Sequence, residues 1–199
     1  MADDAGEERL RMFVAVDLPP QVKDRLARLQ DALRPTAGGV RWANPSGIHL
    51  TLKFLGPVGK GQLPQIEGIV REVARGSPPF SVSLNGLGVF PNRRAPRVLW
   101  VAVQEQGGVL GRIQGELEER MERVGFAREE RAFSPHLTLG RAAGGLRPTV
   151  VDAILERKPE ESSFEVTELR LMRSEPRPGG SVYTTWLSAP LAGRSGPAP

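Results

Sequence analysis

The chain of 199 residues contains two histidines, and each heads the same tetrapeptide: His49-Leu50-Thr51-Leu52 and His136-Leu137-Thr138-Leu139. Imidazole is the side chain whose ordinary pKa lets it give and take protons near neutrality. In a strand, side chains alternate between faces, so His49 and Thr51 point one way while Leu50 and Leu52 point the other. The second copy sets His136 and Thr138 out, with Leu137 and Leu139 in. Two imidazoles and two hydroxyls converging on one small space suit a tetrahedral phosphoryl group. One histidine can deprotonate incoming water, the other can protonate the leaving oxygen, and the hydroxyls can donate to the non-bridging oxygens. The spacing leaves open which histidine is the acid. Neither motif carries a carboxylate at ligand spacing, as in His-Glu-x-x-His, so no metal is expected. A threonine beside a satisfied histidine could serve β propensity alone. Repetition that uses every histidine in the chain argues for function instead.

The elements that must position these residues alternate in period. Residues 11–17 read as a buried strand stopped by Leu18-Pro19-Pro20. Val22, Leu26, Leu29 and Leu33 then recur at helical spacing over 20–33. Short strands are expected at 40–42 and 48–55, the second carrying the first motif. A helix is predicted over 62–74, strands over 80–87 and 97–103, and a helix over 108–124. A strand at 136–141 carries the second motif, followed by a short helix near 149–157 and strands at 163–172 and 181–188. The motifs lie 87 residues apart, far beyond a solenoid period. We therefore expect an α+β fold with two pseudo-symmetric lobes: two antiparallel sheets facing each other, helices packed outside, and a central active-site cleft between them. The ordered domain is expected to span 10–189, with 1–9 and 190–199 disordered.

Other candidates carry less. Gly56-Pro-Val-Gly-Lys-Gly61 fails as a phosphate loop because Lys60 precedes Gly61, so it reads as a strand-to-helix turn. Gly86-Leu-Gly88 reads as a turn. Arg93, Arg94 and Arg97 form a basic loop that either touches an RNA backbone or is simply solvated. Arg141 lies three residues after Thr138 and would face the opposite side of an ideal strand. A bulge could turn its guanidinium into the cleft, and a structural ion pair is the alternative. Phe13 is a candidate to stack on a base, or a core aromatic.

Composition sets outer limits. Cysteine is absent, which excludes disulfides, thiolate metal sites and a cysteine nucleophile. No apolar run approaches the roughly 20 residues of a transmembrane helix. The opening residues are acidic and polar, unlike a secretory signal, so the cytoplasm is the expected location. Net charge is +4, with 23 arginines against 4 lysines. That excess suits bidentate phosphate recognition, but a GC-rich coding sequence explains it as well. A nucleic-acid partner is permitted, not required.

Two His-x-Thr-x motifs in this setting resemble the two-histidine (2H) phosphoesterases, in particular their RNA 2′,3′-cyclic phosphodiesterase branch, also called the 2′-5′ RNA ligase family. The likeness extends over residues 10–189: Arg11–Pro19 resembles the opening strand, and His49–Gly56 the first motif with its usual extension. Gly86–Pro91 followed by Pro96–Trp100 is similar to the central hairpin. Phe133–Arg141 resembles the second motif, and 164–174 with Tyr183 the closing strands. The resemblance implies a bilobal fold and hydrolysis of a terminal 2′,3′-cyclic phosphate to a 2′-phosphate without a cofactor. It further implies His49 as proton donor, His136 as proton acceptor, and Thr51, Thr138 and Arg141 as phosphate contacts. The partners it implies are RNA ends bearing a cyclic phosphate or small cyclic nucleotides; for a cleft enzyme of this size a monomer is the simplest expectation. ATP-independent 2′-5′ ligation at the same site, and an RNA- or nucleotide-binding module with incidental turnover, remain the alternatives.

Overall fold

The computed structural model describes residues 8–193. Nine strands and four α-helices alternate through them: β1 (Arg9–Asp17), α1 (Pro20–Leu33), β2 (Arg41–Trp42), β3 (His49–Gly59), α2 (Leu63–Gly76), β4 (Phe80–Phe90), β5 (Val98–Gln104), α3 (Val109–Glu122), β6 (His136–Arg141), α4 (Pro148–Leu155), β7 (Ser162–Val166), β8 (Glu168–Arg177) and β9 (Gly180–Pro190). The predicted strand over 163–172 is two strands, parted at Thr167. Gly86-Leu-Gly88 is not a turn but lies within β4, where a bulge between Leu84 and Leu87 sets Gly86 at a φ of 72° that favours glycine. Most residues expected to be disordered lie outside the described ones. Within them, Arg9 opens β1, and Leu191 is buried with its N–H donated to the Thr167 carbonyl.

The expected pair of facing sheets is absent. All nine strands form one curled antiparallel sheet in the order β7-β4-β5-β6-β3-β1-β8-β9, with β2 also paired to β6. The pseudo-symmetry survives in a different form. Four strands lie on each side of a seam where β3 meets β6 at Leu50 and Leu137. Across that seam β3 corresponds to β6, β1 to β5 and β4 to β8. Because β4 pairs with β5 and β8 with β1, each repeat lends a strand to the other's side. Joining the halves edge to edge removes two unpaired strand edges, which would otherwise invite aggregation. It also spares the polar faces from being buried against each other, where each unpaired hydroxyl or ring nitrogen would be costly.

The helices cover one face. α2 packs on α3 and against β9, α3 reaches β3, and α4 reaches β4. Between them and the sheet lies the main core, including Leu10, Met12, Val14 and Val16 from β1, Leu50 from β3, Leu137 from β6, Val101 from β5 and Leu171 from β8. The opposite face is open. There, Phe13, Ala15, Met172 and Tyr183 form a smaller cluster.

Candidate active site

The seam builds the site. Antiparallel pairing of Leu50 with Leu137 sets His49 beside Thr138 and Thr51 beside His136. Both leucines are fully buried, so the alternation of strand side chains turns all four polar residues to the open face. Directly opposite side chains stand about 5 Å apart at Cβ and diagonal ones about 7–8 Å. The two imidazoles therefore occupy diagonal corners of a small quadrilateral, and the two hydroxyls the other corners. Residues 87 positions apart meet on adjoining strands, not across a cleft between lobes.

Each ring is oriented in the same way. His49 Nδ1 lies 2.8 Å from the Gly47 carbonyl and His136 Nδ1 lies 2.7 Å from the Ser134 carbonyl. A carbonyl can only accept, so Nδ1–H donates in both cases. That fixes the tautomer and leaves Nε2 on each ring for proton transfer. Aromatic side chains hold the rings from the side. Phe13 stacks on His49 at 4.6 Å and Tyr183 meets it edge-on at 4.9 Å. Phe90 meets His136 edge-on at 4.9 Å, with Trp100 at 6.0 Å. Ala15 and Ala102, opposite Thr51 and His136, keep the floor low. Trp100 in turn lies flat over Gly88, its register partner, where any Cβ would overlap the indole.

Half-burial lowers both imidazole pKa values below the ordinary one, and the donated Nδ1–H bonds oppose this by favouring the charged ring. Remaining charges separate the two. Asp17, the β1 register partner of His49, favours its protonated form, against a smaller opposing effect from Lys23. Arg141 works against protonation of His136. The two rings share the same backbone anchoring and half-burial, and their neighbouring charge differs in sign: the Asp17 carboxylate acts on His49 and the Arg141 guanidinium on His136. Asp17 is itself held by Lys23 at 2.7 Å and by Arg170.

Arg141 reaches the site face through a bulge. Trp100 pairs with Thr138 and Leu99 with Gly140, so Leu139 is an extra residue that reverses the alternation beyond it. Buried Gln30 on α1 donates to the carbonyls of Leu139 and Ala43, pinning that irregular stretch. The ion-pair alternative for Arg141 finds no partner among the described residues. The same bulge occurs at Leu52 in β3, where Val14 pairs with Lys53 and Ala15 with Thr51. Lys53 is thereby turned into the helix side, buried in an ion pair with Glu118 of α3. Phe13 is 2 % exposed and already covered by His49, so it packs the imidazole and has no free face for a base. Arg93 pairs loosely with Asp152 at 3.7 Å, and Arg97 leads directly into β5 beside Arg141. Sequence reasoning did not single out Asp17, Phe90, Trp100 or Tyr183 as site residues. Tyr183, the sole tyrosine, was the one with a usable signal.

Among the described residues, no three His, Cys, Asp or Glu side chains gather as metal ligands, and no helix is long and apolar enough to cross a membrane.

A symmetric sheet bearing two His-x-Thr pairs on one face defines a 2H phosphoesterase. Within that class, the chain belongs to the LigT-like phosphoesterases, whose family model matches it twice in succession, over residues 16–100 and 101–183. The tandem match agrees with the repeat seen in the sheet. The RNA 2′,3′-cyclic phosphodiesterase of Methanothermobacter thermautotrophicus is 41% identical over 178 residues, which cover 88% of this chain and 96% of that protein. Its counterpart in Thermus thermophilus is 35% identical and covers 94% and 93% of the two chains. Among solved structures, TT0787 of Thermus thermophilus superposes with a TM-score of 0.79 at 30% identity, covering 94% of this chain and 100% of that one. Escherichia coli LigT complexed with 3′-AMP gives 0.79 at 26% identity, covering 92% and 99%.

Proposed function

We infer that this chain is an RNA 2′,3′-cyclic phosphodiesterase: it hydrolyses a terminal 2′,3′-cyclic phosphate and leaves a 2′-phosphate. One observation carries the reading. The seam register puts two imidazoles at diagonal corners of a four-residue site, each with Nδ1–H committed to a backbone carbonyl and Nε2 free. A phosphorus centred over the Leu50–Leu137 pair has one imidazole on either side, as an in-line displacement requires.

In the proposed reaction His136 Nε2 removes a proton from water as its oxygen bonds to phosphorus. The P–O3′ bond breaks, and His49 Nε2–H supplies the proton to the departing oxygen. One proton enters at His136 and one leaves from His49, so the resting enzyme returns after proton exchange with water. Neighbouring charge supports these roles, since Asp17 favours a protonated His49 and Arg141 a neutral His136. Thr51 and Thr138 hydroxyls donate to the non-bridging oxygens, and the Arg141 guanidinium offsets their charge. A single chain supplies all of these groups, so a monomer suffices. Relatives carrying the same activity over nearly their full length support the substrate class.

The test is to incubate the protein with adenosine 2′,3′-cyclic phosphate and with a short RNA bearing the same terminus, in the presence of EDTA. The expected product is the 2′-phosphate from both. A 3′-phosphate, or turnover abolished by EDTA and restored by a divalent ion, contradicts the reading. A joined 2′-5′ product in place of hydrolysis identifies a ligase.

A further inference from the structure

We propose that Arg41 receives the phosphate at O5′ of the terminal nucleotide, so that the site favours RNA ends over free nucleoside cyclic phosphates. The proposal rests on the reading above, because it takes its direction from O3′ departing at His49.

Arg41 is one half of the two-residue strand β2, and its register partner on β6 is Arg141. Both are exposed, and neither guanidinium has an ion-pair partner among the described residues. Like charges set directly opposite on neighbouring strands repel and cost stability. Here three devices enforce the pairing. Buried Gln30 of α1 donates at 2.8 Å to the carbonyls of both Ala43 and Leu139, tying β2 to β6. Gly140 lets β2 lie close, since a Cβ there would stand 2.5 Å from Val40 Cγ1 and 3.1 Å from the Arg41 carbonyl oxygen. Trp42 packs against the main core, with the Arg34 guanidinium of α1 over its ring at 5.5 Å. Trp42 thus faces the helices, and alternation turns Arg41 to the open face beside Arg141.

The line of the strands supplies the direction. Along β6, Leu137 pairs with Leu50, Gly140 with Trp42 and Arg141 with Arg41. β2 therefore continues past the His49 end of the quartet, away from His136. The ribose lies with its O3′ at His49, the group proposed to protonate it. C3′ is bonded to C4′, which carries C5′ and O5′, so the 5′ side of the nucleotide extends toward β2. By strand rise, Arg141 and its partner Arg41 lie about 7–10 Å beyond Thr138, a span that one ribose and its C5′ bridge. In RNA that O5′ bears the phosphodiester to the preceding nucleotide, whereas in a free nucleoside cyclic phosphate it bears a proton. Arg141 serves the reacting phosphoryl group, and Arg41 offers a second planar donor fork to the next phosphate along. An anion between the two guanidiniums also offsets their mutual repulsion. A contact to phosphate carries no sequence information, which fits RNA ends of any sequence.

The experiment compares adenosine 2′,3′-cyclic phosphate with the same molecule carrying a methyl phosphodiester at O5′. The added group supplies the charge of an RNA linkage without a second base. The wild-type enzyme is expected to prefer the 5′-esterified substrate in kcat/KM by about tenfold. That is the lower end of the worth of a hydrogen bond to a charged group, because the arginine pair is open to water. Arg41→Ala is expected to collapse the preference toward one, through a higher KM for the esterified substrate. Arg71→Ala removes the same charge from an exposed position on α2, on the covered face of the sheet, and should leave the preference intact. An unaltered preference in Arg41→Ala overturns the proposal. So does an equal loss in Arg71→Ala, which would make overall charge the cause. If the wild-type enzyme hydrolyses neither substrate, the proposed activity itself fails; if it hydrolyses both equally well, only the Arg41 contact does.

Discussion

Gly88→Ala is a one-carbon change outside the proposed catalytic quartet that should reach it. A Cβ at Gly88 would stand 2.1 Å from Trp100 Cζ2, 2.2 Å from Cη2 and 2.6 Å from Cε2. Carbon pairs settle near 3.5 Å, so the indole and the new methyl must separate by about 1.4 Å. The indole is rigid and cannot fold aside. Phe90 blocks it at 4.9 Å, and His136 lies 6.0 Å away with its own edge against Phe90. Trp100 is also the register partner of Thr138. Overpacking of this kind costs about 1–3 kcal/mol. For a domain of this size, each kcal/mol corresponds to about 2–4 °C in Tm, so a fall of about 2–12 °C is expected. Misplacing a catalytic group by about 1 Å costs on the order of 100-fold in rate. Thermal unfolding and kcat on adenosine 2′,3′-cyclic phosphate measure the two effects. Gly88→Ala/Trp100→Ala, which removes the obstacle, should recover part of the lost Tm. A Gly88→Ala enzyme with wild-type Tm and kcat would refute the claim that Trp100 is wedged against the site.

Two further perturbations separate charge from packing. Arg141→Ala removes a charge that holds down the His136 pKa, so that pKa rises and the acidic limb of the kcat/KM profile moves to higher pH. Asp17→Asn removes a charge that favours protonated His49, so the alkaline limb moves to lower pH. If each variant moves the other limb instead, the acid and base are exchanged. Lys53→Met strands the Glu118 carboxylate in the core, and breaking a buried pair in this way costs about 3–5 kcal/mol in urea unfolding. Lys53→Met/Glu118→Leu should regain most of it, and equal stability of the single and double variants would contradict the buried-pair account.

Local structure was legible because the hydrophobic period switched cleanly. Val22, Leu26 and Leu33 sit buried on α1 as their spacing requires, and the His-x-Thr alternation puts Leu50 and Leu137 in the core. What could not be read is how the halves join. Nothing local says that Leu50 pairs with Leu137, 87 residues away, so identical polar faces were expected to oppose each other when in fact they lie side by side. The bulge at Leu52 was equally hidden, since an extra residue leaves no compositional mark, whereas the one at Leu139 entered as one of two alternatives for Arg141. They reverse the side-chain phase, which is why Lys53, charged and expected outside, is buried, while Phe54 and Arg141 come to the site face. Of the two alternatives for Phe13, the structure shows the packed aromatic, because its neighbour across the sheet surface, His49, covers it.

The most direct measurement is the pH dependence of kcat/KM for the wild-type enzyme, His49→Ala and His136→Ala on adenosine 2′,3′-cyclic phosphate. The wild-type profile should be bell-shaped, because one imidazole must be charged and the other neutral. Each variant should fall by on the order of 10²–10⁴ in rate. Its residual activity should lose one limb only: the alkaline limb in His49→Ala and the acidic limb in His136→Ala. Both limbs persisting in either variant would contradict two imidazoles sharing one phosphoryl group.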